Sequence, residues 1–145
     1  MPLRLPRFVS RLSPRRRRFP TRYAPARNGR PDPGEVCWAW VPYEDDPTRG
    51  KDRPVLVLAT SGSSVTALPM TSKDHDRDAA QEASVGRYWM DVGTGDWDGR
   101  RRPSEVRINR VLVLDASAVR REGGVIRPEL FEQVLAAAAP YLPEG

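Results

Sequence analysis

The sequence predicts a mainly β domain, a small and strongly curved barrel with one helix at its C-terminal end and a basic arm in front. Three observations predict it. Short apolar runs recur at close spacing between residues 35 and 114, helical periodicity appears only after residue 126, and no acidic residue precedes residue 32.

The arm comes first. Residues 1–31 hold ten arginines and no acid, with Arg15, Arg16, Arg17 and Arg18 set between Pro14 and Pro20. A stretch of this composition cannot build a core and is expected to stay disordered. The domain is expected over residues 32–145, where fourteen Lys/Arg stand against nineteen Asp/Glu, so a basic arm is joined to a mildly acidic globule. Charge blocks of this kind stay solvated and touch nucleic acid, a membrane surface or an acidic partner.

Order begins at Pro33-Gly34. Glu35 to Val41 alternates, with Val36, Trp38 and Trp40 on one face and Cys37, Ala39 and Val41 on the other, which is a strand pattern. The polar stretch Pro42 to Asp52 is a loop. Pro54 to Ala59 (PVLVLA) reads as a strand buried on both faces, with Pro54 at its first position, where a missing N–H is tolerated. Ser61 to Ser64 forms a tight turn, and Val65 to Leu68 returns as a third strand of a meander that closes on Met70, Thr71 and Ser72. Lys73 to Gly86 is charged and aperiodic, a long loop with or without a short helix. Tyr88 to Val92 is a fourth strand, Gly93 to Pro103 a mobile loop by composition, and Val106 to Leu114 one strong strand.

The helix has its own signals. Pro128 suits the first helical position, Ile126 and Phe131 are spaced as a hydrophobic staple, and Leu130, Phe131, Val134, Leu135 and Ala138 make one apolar face before Pro140 stops it.

Composition also excludes function classes. Cys37 is the sole cysteine, so no intrachain disulfide can form and a reducing cytoplasm is the expected setting. One histidine and one cysteine do not make a zinc site, and neither a metal nor a cofactor is expected. No run approaches the roughly 18 apolar residues of a membrane span, and the first residues lack the apolar segment of a secretory signal. The Arg-rich leader has a transit-peptide flavour; twenty-two arginines against two lysines instead suggest a GC-rich bacterial source.

Three segments carry a resemblance. Pro33-Gly34-Glu35-Val36 runs into Trp38 and Trp40; Asp46-Pro47-Thr48-Arg49-Gly50 is followed by Arg53-Pro54-Val55-Leu56-Val57-Leu58; and Pro69-Met70-Thr71-Ser72 ends the third strand. In this order and spacing they resemble the MazF/PemK toxin family over roughly residues 32–142. The resemblance implies an SH3-like barrel, a homodimer, and an endoribonuclease toxin that cuts single-stranded RNA without a metal and is neutralised by a cognate antitoxin whose acidic C-terminal tail lies in the RNA groove. CcdB-type gyrase toxins are built on a similar barrel but rely on a Trp-Gly-Ile ending, whereas this chain ends Leu142-Pro143-Glu144-Gly145. A catalytically degenerate barrel that binds RNA or an antitoxin-like protein is the other alternative.

Metal-free cleavage lets the 2′-OH attack the adjacent phosphate, so the site must take a proton, stabilise a dianionic phosphorane and release the 5′-oxygen. A guanidinium is suited to the second task, because it stays charged and grips phosphate oxygens through two parallel N–H bonds. By the resemblance, Arg53 matches the catalytic arginine and Thr71 the second catalytic position, with Ser72 beside it. The alternative for Arg53 is a surface pair with Asp52, and for Thr71 a local strand-end bond. His75, between Asp74 and Asp76, is either a proton donor or a solvated loop side chain. Arg107 and Asn109 fall where relatives place an arginine and an aspartate for proton transfer. Asn109 cannot accept a proton, which leaves Asp52 or Asp76 as base. Trp97 either stacks an unpaired base, with Arg100, Arg101 and Arg102 on phosphates, or pins its own loop. Arg49 and Lys51 are further RNA-binding candidates, and Trp38, Trp40 and Trp89 are expected in the core or a dimer contact.

Overall fold

The alternation seen along the chain becomes a curled antiparallel sheet of seven strands in the computed structural model, which describes residues 19, 21–26, 29–72 and 79–143. In chain order these are β1 (Glu35–Pro42), β2 (Gly50–Ser61), β3 (Ser64–Thr71), β4 (Trp89–Gly93), β5 (Ser104–Arg107), β6 (Leu112–Asp115) and β7 (Arg120–Val125). A short α1 (Ala79–Ser84) lies between β3 and β4, and α2 (Pro128–Ala138) follows β7. The strand order is β4-β5-β3-β2-β1-β7, with β6 also pairing β3. The sheet curls as expected of a small barrel but does not close, its path running from β4 to β7 among the described residues.

Period-two alternation decides which face each side chain covers. Leu56 and Leu58 of β2, Leu68 and Met70 of β3, and Val106 of β5 bury into one cluster, which Phe131, Val134 and Ala138 of α2 cover. Val55 and Val57 of β2, Val65 and Ala67 of β3, and Cys37, Ala39 and Val41 of β1 form a second cluster on the opposite face. Thus β2 is buried on both faces, as its continuous apolar run predicts. Helix α2 begins with Pro128 in its first turn; Ile126 and Phe131 share one cluster as a staple requires, and Pro140 lies in the 3-10 turn Ala139–Tyr141 that ends the helix. Buried Cys37 is free, its thiol pushed up to about 12 chiefly by burial, so it is an inert core residue.

Four expectations are corrected. Strand β2 starts at Gly50, so Lys51 and Asp52 lie on a strand rather than in a loop, and Pro54 sits within it opposite Trp38. Pairing to β3 begins one residue later, at Val55↔Pro69, so Pro54 occupies a place with a neighbour on one side only. The single strand expected over Val106 to Leu114 is two: β5 and β6 pair different parts of β3, and residues 108–111 loop out between them. Strand β7 had no sequence signal, because Gly123 and Gly124 suppress it. A Cβ on Gly123 would collide with the Val36 carbonyl oxygen, and that close backbone approach is what keeps glycine there.

The fourth concerns the arm, expected to be disordered through residue 31. Phe19 and Tyr23 pack against the first cluster, Thr21 Oγ1 donates to the Leu58 carbonyl (2.6 Å) and Tyr23 Oη to that of Ile126 (2.7 Å). The Tyr23 and Phe131 rings meet with centroids 5.5 Å apart. Phe19, Thr21 and Tyr23 therefore belong to the packed domain. Arg15, Arg16, Arg17 and Arg18 lie outside the described residues.

Candidate nucleic-acid interface

The antiparallel pairing of β2 with β3 puts the start of one beside the end of the other. Continuing the Val55↔Pro69 register by two residues sets Arg53 across from Thr71, both on the face of the second cluster. On the other side of β3, Thr71 pairs Glu105 of β5, and Arg107 of β5 pairs Trp89 of β4. Four strands thus present side chains to one site. They form the floor of an open groove of about 850 Å³.

Six cations line this groove, namely Lys51, Arg53, Arg87, Arg102, Arg107 and Arg110, against three acids, Glu44, Asp45 and Glu82. The domain as a whole is net acidic, so the cation excess is local to the groove. Two of the acids are already engaged. Glu82 accepts from Arg87 Nε (2.8 Å) and Trp89 Nε1 (3.0 Å), and Glu44 takes a two-pronged grip from Arg107 (2.9 and 3.0 Å). Arg110 donates to the Pro42 carbonyl (2.6 Å). Arg53 is half-buried, and its guanidinium has no hydrogen bond or ion pair to any described residue. Burial, then the neighbouring charge of Arg110, push the Arg53 pKa down from its ordinary value; burial does the same to Arg110, which Arg107 adds to and Glu44 opposes. An arginine remains charged under such pressure. Mutual repulsion among packed guanidiniums is relieved by an anion, and phosphate is the anion whose oxygens fit their planar donors.

Residues 73–78 are outside the described residues, so the structure has no bearing on His75 or Asp76. Asp52 does not line this groove: its exposed carboxylate pairs with Arg120 at 2.5 Å. Glu44 is the groove residue that sequence reasoning missed. It lies 63 residues from the arginine that holds it, and no local pattern joins the two. Asn109 holds backbone, donating to the Gly86 carbonyl (2.6 Å) and accepting from the Tyr88 N–H (3.2 Å) and from Arg107 Nε (2.6 Å).

The Gly93–Pro103 loop differs from its expectation. Trp97 is buried at 4% exposure and donates to Ser104 Oγ (2.9 Å), so the ring pins the loop and offers no stacking face to a base. Buried Asp98 accepts from Arg102 Nε (2.8 Å) and the Arg100 N–H (2.9 Å), and Arg101 pairs with Asp96 (2.5 Å). The loop is thereby pinned rather than mobile. Of its arginines, Arg100 and Arg102 line a smaller recess with Trp38, Pro54 and Ser72, and both Ser72 and Arg102 also line the main groove, so the two are continuous. The other tryptophans are not core residues: Trp40 is 51% exposed, Trp38 is half-buried in the recess, and half-buried Trp89 carries the Arg107 guanidinium 6.0 Å from its ring centre. Arg49 lies over the ring of groove-lining Tyr43 at 5.7 Å. No His/Cys/Asp/Glu group able to hold a metal ion occurs among the described residues, and none of their helices is long and apolar enough to cross a membrane.

Residues 32–142 match the family described as PemK-like, MazF-like toxin of type II toxin-antitoxin system. The chain belongs to the PemK/MazF toxin family. Members of this family are endoribonucleases. The MazF of two MazE-MazF crystal structures from Deinococcus radiodurans shares the fold, at TM-scores of 0.51 and 0.50 and 18% identity in both, with 76% of this chain and 93% or 94% of the other covered. The Mycobacterium tuberculosis toxin MazF-mt6 aligns over 72% of this chain and 91% of its own, at 21% identity and a TM-score of 0.47. No curated protein sequence matches significantly.

Proposed function

We propose that this PemK/MazF-family chain is the toxin of a type II toxin-antitoxin pair and cuts single-stranded RNA without a metal, by attack of a ribose 2′-OH on the adjacent phosphate. The observation that carries the reading is Arg53, a half-buried guanidinium without an acidic partner among the described residues, in one groove with Thr71 and Arg107. Arg53 grips the phosphate and stabilises the phosphorane, where a lost charged donor is typically worth 100-fold or more in rate. Thr71 orients a phosphate oxygen from the adjacent strand end, with Ser72 beside it. Arg107 assists from the groove wall.

The strand runs along the cationic groove and its continuation, with Lys51, Arg49, Arg100 and Arg102 on neighbouring phosphates. Positive charge at this spacing gives salt-sensitive, sequence-tolerant affinity. The same groove accommodates the acidic C-terminal tail of a cognate antitoxin, which would exclude RNA by occupying the same guanidiniums. The family assignment supports a homodimer acting in a bacterial cytoplasm.

The test is end-labelled RNA incubated with the full chain in excess EDTA, with product termini analysed. Fragments ending in 2′,3′-cyclic phosphate and 5′-hydroxyl are expected, and an acidic antitoxin tail should suppress them. Failure to cut any of a broad set of single-stranded RNAs would sink the nuclease reading. Cleavage abolished by EDTA would overturn the metal-free mechanism.

A further inference from the structure

The groove lacks the carboxylate that the motif places beside Arg107, because residue 109 is an amide. Its side chain is committed elsewhere. The Nδ2 group of Asn109 donates to the Gly86 carbonyl at 2.6 Å, while Oδ1 accepts the Tyr88 N–H at 3.2 Å and Arg107 Nε at 2.6 Å. These partners fix the amide's orientation, since Gly86 supplies only an acceptor and Tyr88 only a donor. An ionised aspartate would set an oxygen against the Gly86 carbonyl. Asparagine is therefore a staple that ties the β5–β6 loop to the segment between α1 and β4.

A carboxylate nevertheless reaches the same arginine from another part of the chain. Glu44, in the β1–β2 loop, meets both terminal nitrogens of Arg107 at 2.9 and 3.0 Å. Each oxygen spends one lone pair on that contact and retains another. The side chain is 49% exposed and lines the same groove as Arg53 and Thr71, so substrate can reach it. Asp45 shares the groove lining, but among the described residues Glu44 is the carboxylate held beside Arg107.

We propose that Glu44 is the proton acceptor of the cleavage reaction, that Arg107 positions it, and that Asn109 holds the wall on which Arg107 depends. The inference rests on the nuclease reading above. In the step it describes, the 2′-OH proton passes to the Glu44 carboxylate as the 2′-oxygen bonds to phosphorus. The phosphorane collapses with rupture of the bond to the 5′-oxygen, which takes a proton from water. Glu44 then returns its proton to solvent. Cyclic phosphate and 5′-hydroxyl result, with no net gain or loss of protons.

The hydrogen bonds from Arg107 hold Glu44 below the usual carboxylate range, against a smaller opposing effect of burial. The base is thus ready at neutral pH, and the acid limb of the rate profile should fall below the ordinary glutamate pKa of about 4.3.

The experiment measures single-turnover cleavage of one labelled RNA in excess EDTA across pH, for the full chain and for Glu44→Gln, Glu44→Asp and Asn109→Asp. Binding of the 2′-deoxy analogue of that RNA is followed in parallel. Glu44→Gln should lose about 100-fold or more in rate and lose the acid limb, with analogue binding within a few-fold of the parent. Glu44→Asp should keep the acid limb at a reduced rate. Asn109→Asp, despite its new carboxylate, should be slower than the parent. A Glu44→Gln chain that cuts at the parent rate with an unchanged acid limb overturns the proposal and leaves the nuclease reading standing. A Glu44→Asp chain as inert as Glu44→Gln would assign Glu44 to holding Arg107 alone, also against the proposal. A parent chain that cuts no RNA fails both readings together.

Discussion

Two regions of this molecule exchange prominence between sequence and structure. The Gly93–Pro103 loop carries Trp97 and three consecutive arginines, the composition of a single-strand binder, whereas the Pro42–Arg53 segment mixes acids and bases without obvious emphasis. In the folded chain the first region spends most of its groups on itself. Trp97 is buried against Ser104, Arg101 pairs with Asp96, and Arg102 pairs with Asp98 four residues before it. The second region opens onto the groove where Arg53, Arg107 and Arg110 gather. The availability of an arginine depends on the acids within reach of it, and composition alone does not supply that geometry.

Substitutions can break or sharpen this contrast. Trp97→Ala should destabilise the domain by about 3–5 kcal/mol in denaturant unfolding, the cost of removing a large core ring. If Trp97 were a stacking platform, stability would be unchanged and RNA affinity would drop by about 1–3 kcal/mol instead. Arg53→Lys keeps the charge but loses the planar fork. The loss of a charged hydrogen bond, about 1.5–3 kcal/mol, corresponds to a fall in cleavage rate of about tenfold to hundredfold, with unfolding unchanged. Lys51→Ala should weaken single-stranded RNA binding uniformly across sequences and reduce the salt slope by about 0.7, read from titrations at several ionic strengths. The smallest effect is expected at Asp52, whose exposed pair with Arg120 is worth little. Asp52→Asn should shift stability by no more than about 1 kcal/mol and leave the cleavage rate at the parent level, which would separate it from Glu44.

Much of the fold was legible because apolar alternation reports burial directly. Strands β1 and β2 and helix α2 follow from Val36 to Val41, Val55 to Ala59, and Phe131, Val134 and Ala138, whose spacing fits only one arrangement of faces. What stayed hidden depended on contacts distant in sequence. Strand β7 is held by a close approach to Val36 that only glycine permits, so its residues carry no strand propensity. The break between β5 and β6 interrupts an apolar run because Arg107, Asn109 and Arg110 reach for Glu44, Gly86 and Pro42. Phe19 and Tyr23 were masked by the arginines around them, although both pack on the core. At the site, Arg53, Thr71 and Arg107 stood out through their motif, and the structure brings them into one groove. Glu44 did not stand out, since its partner lies on another strand.

The central claim is that the groove at the start of β2 carries the cleavage chemistry, the arginine-rich loop supplying only the phosphate contacts of Arg100 and Arg102 beside it. Its most direct test is the rate of EDTA-resistant cleavage by Arg53→Ala compared with Arg101→Ala, each checked for an unchanged unfolding transition. The account predicts a loss of about 100-fold or more for Arg53→Ala and a change of less than about twofold for Arg101→Ala. Equal losses in the two variants, or a larger loss at Arg101, would contradict it.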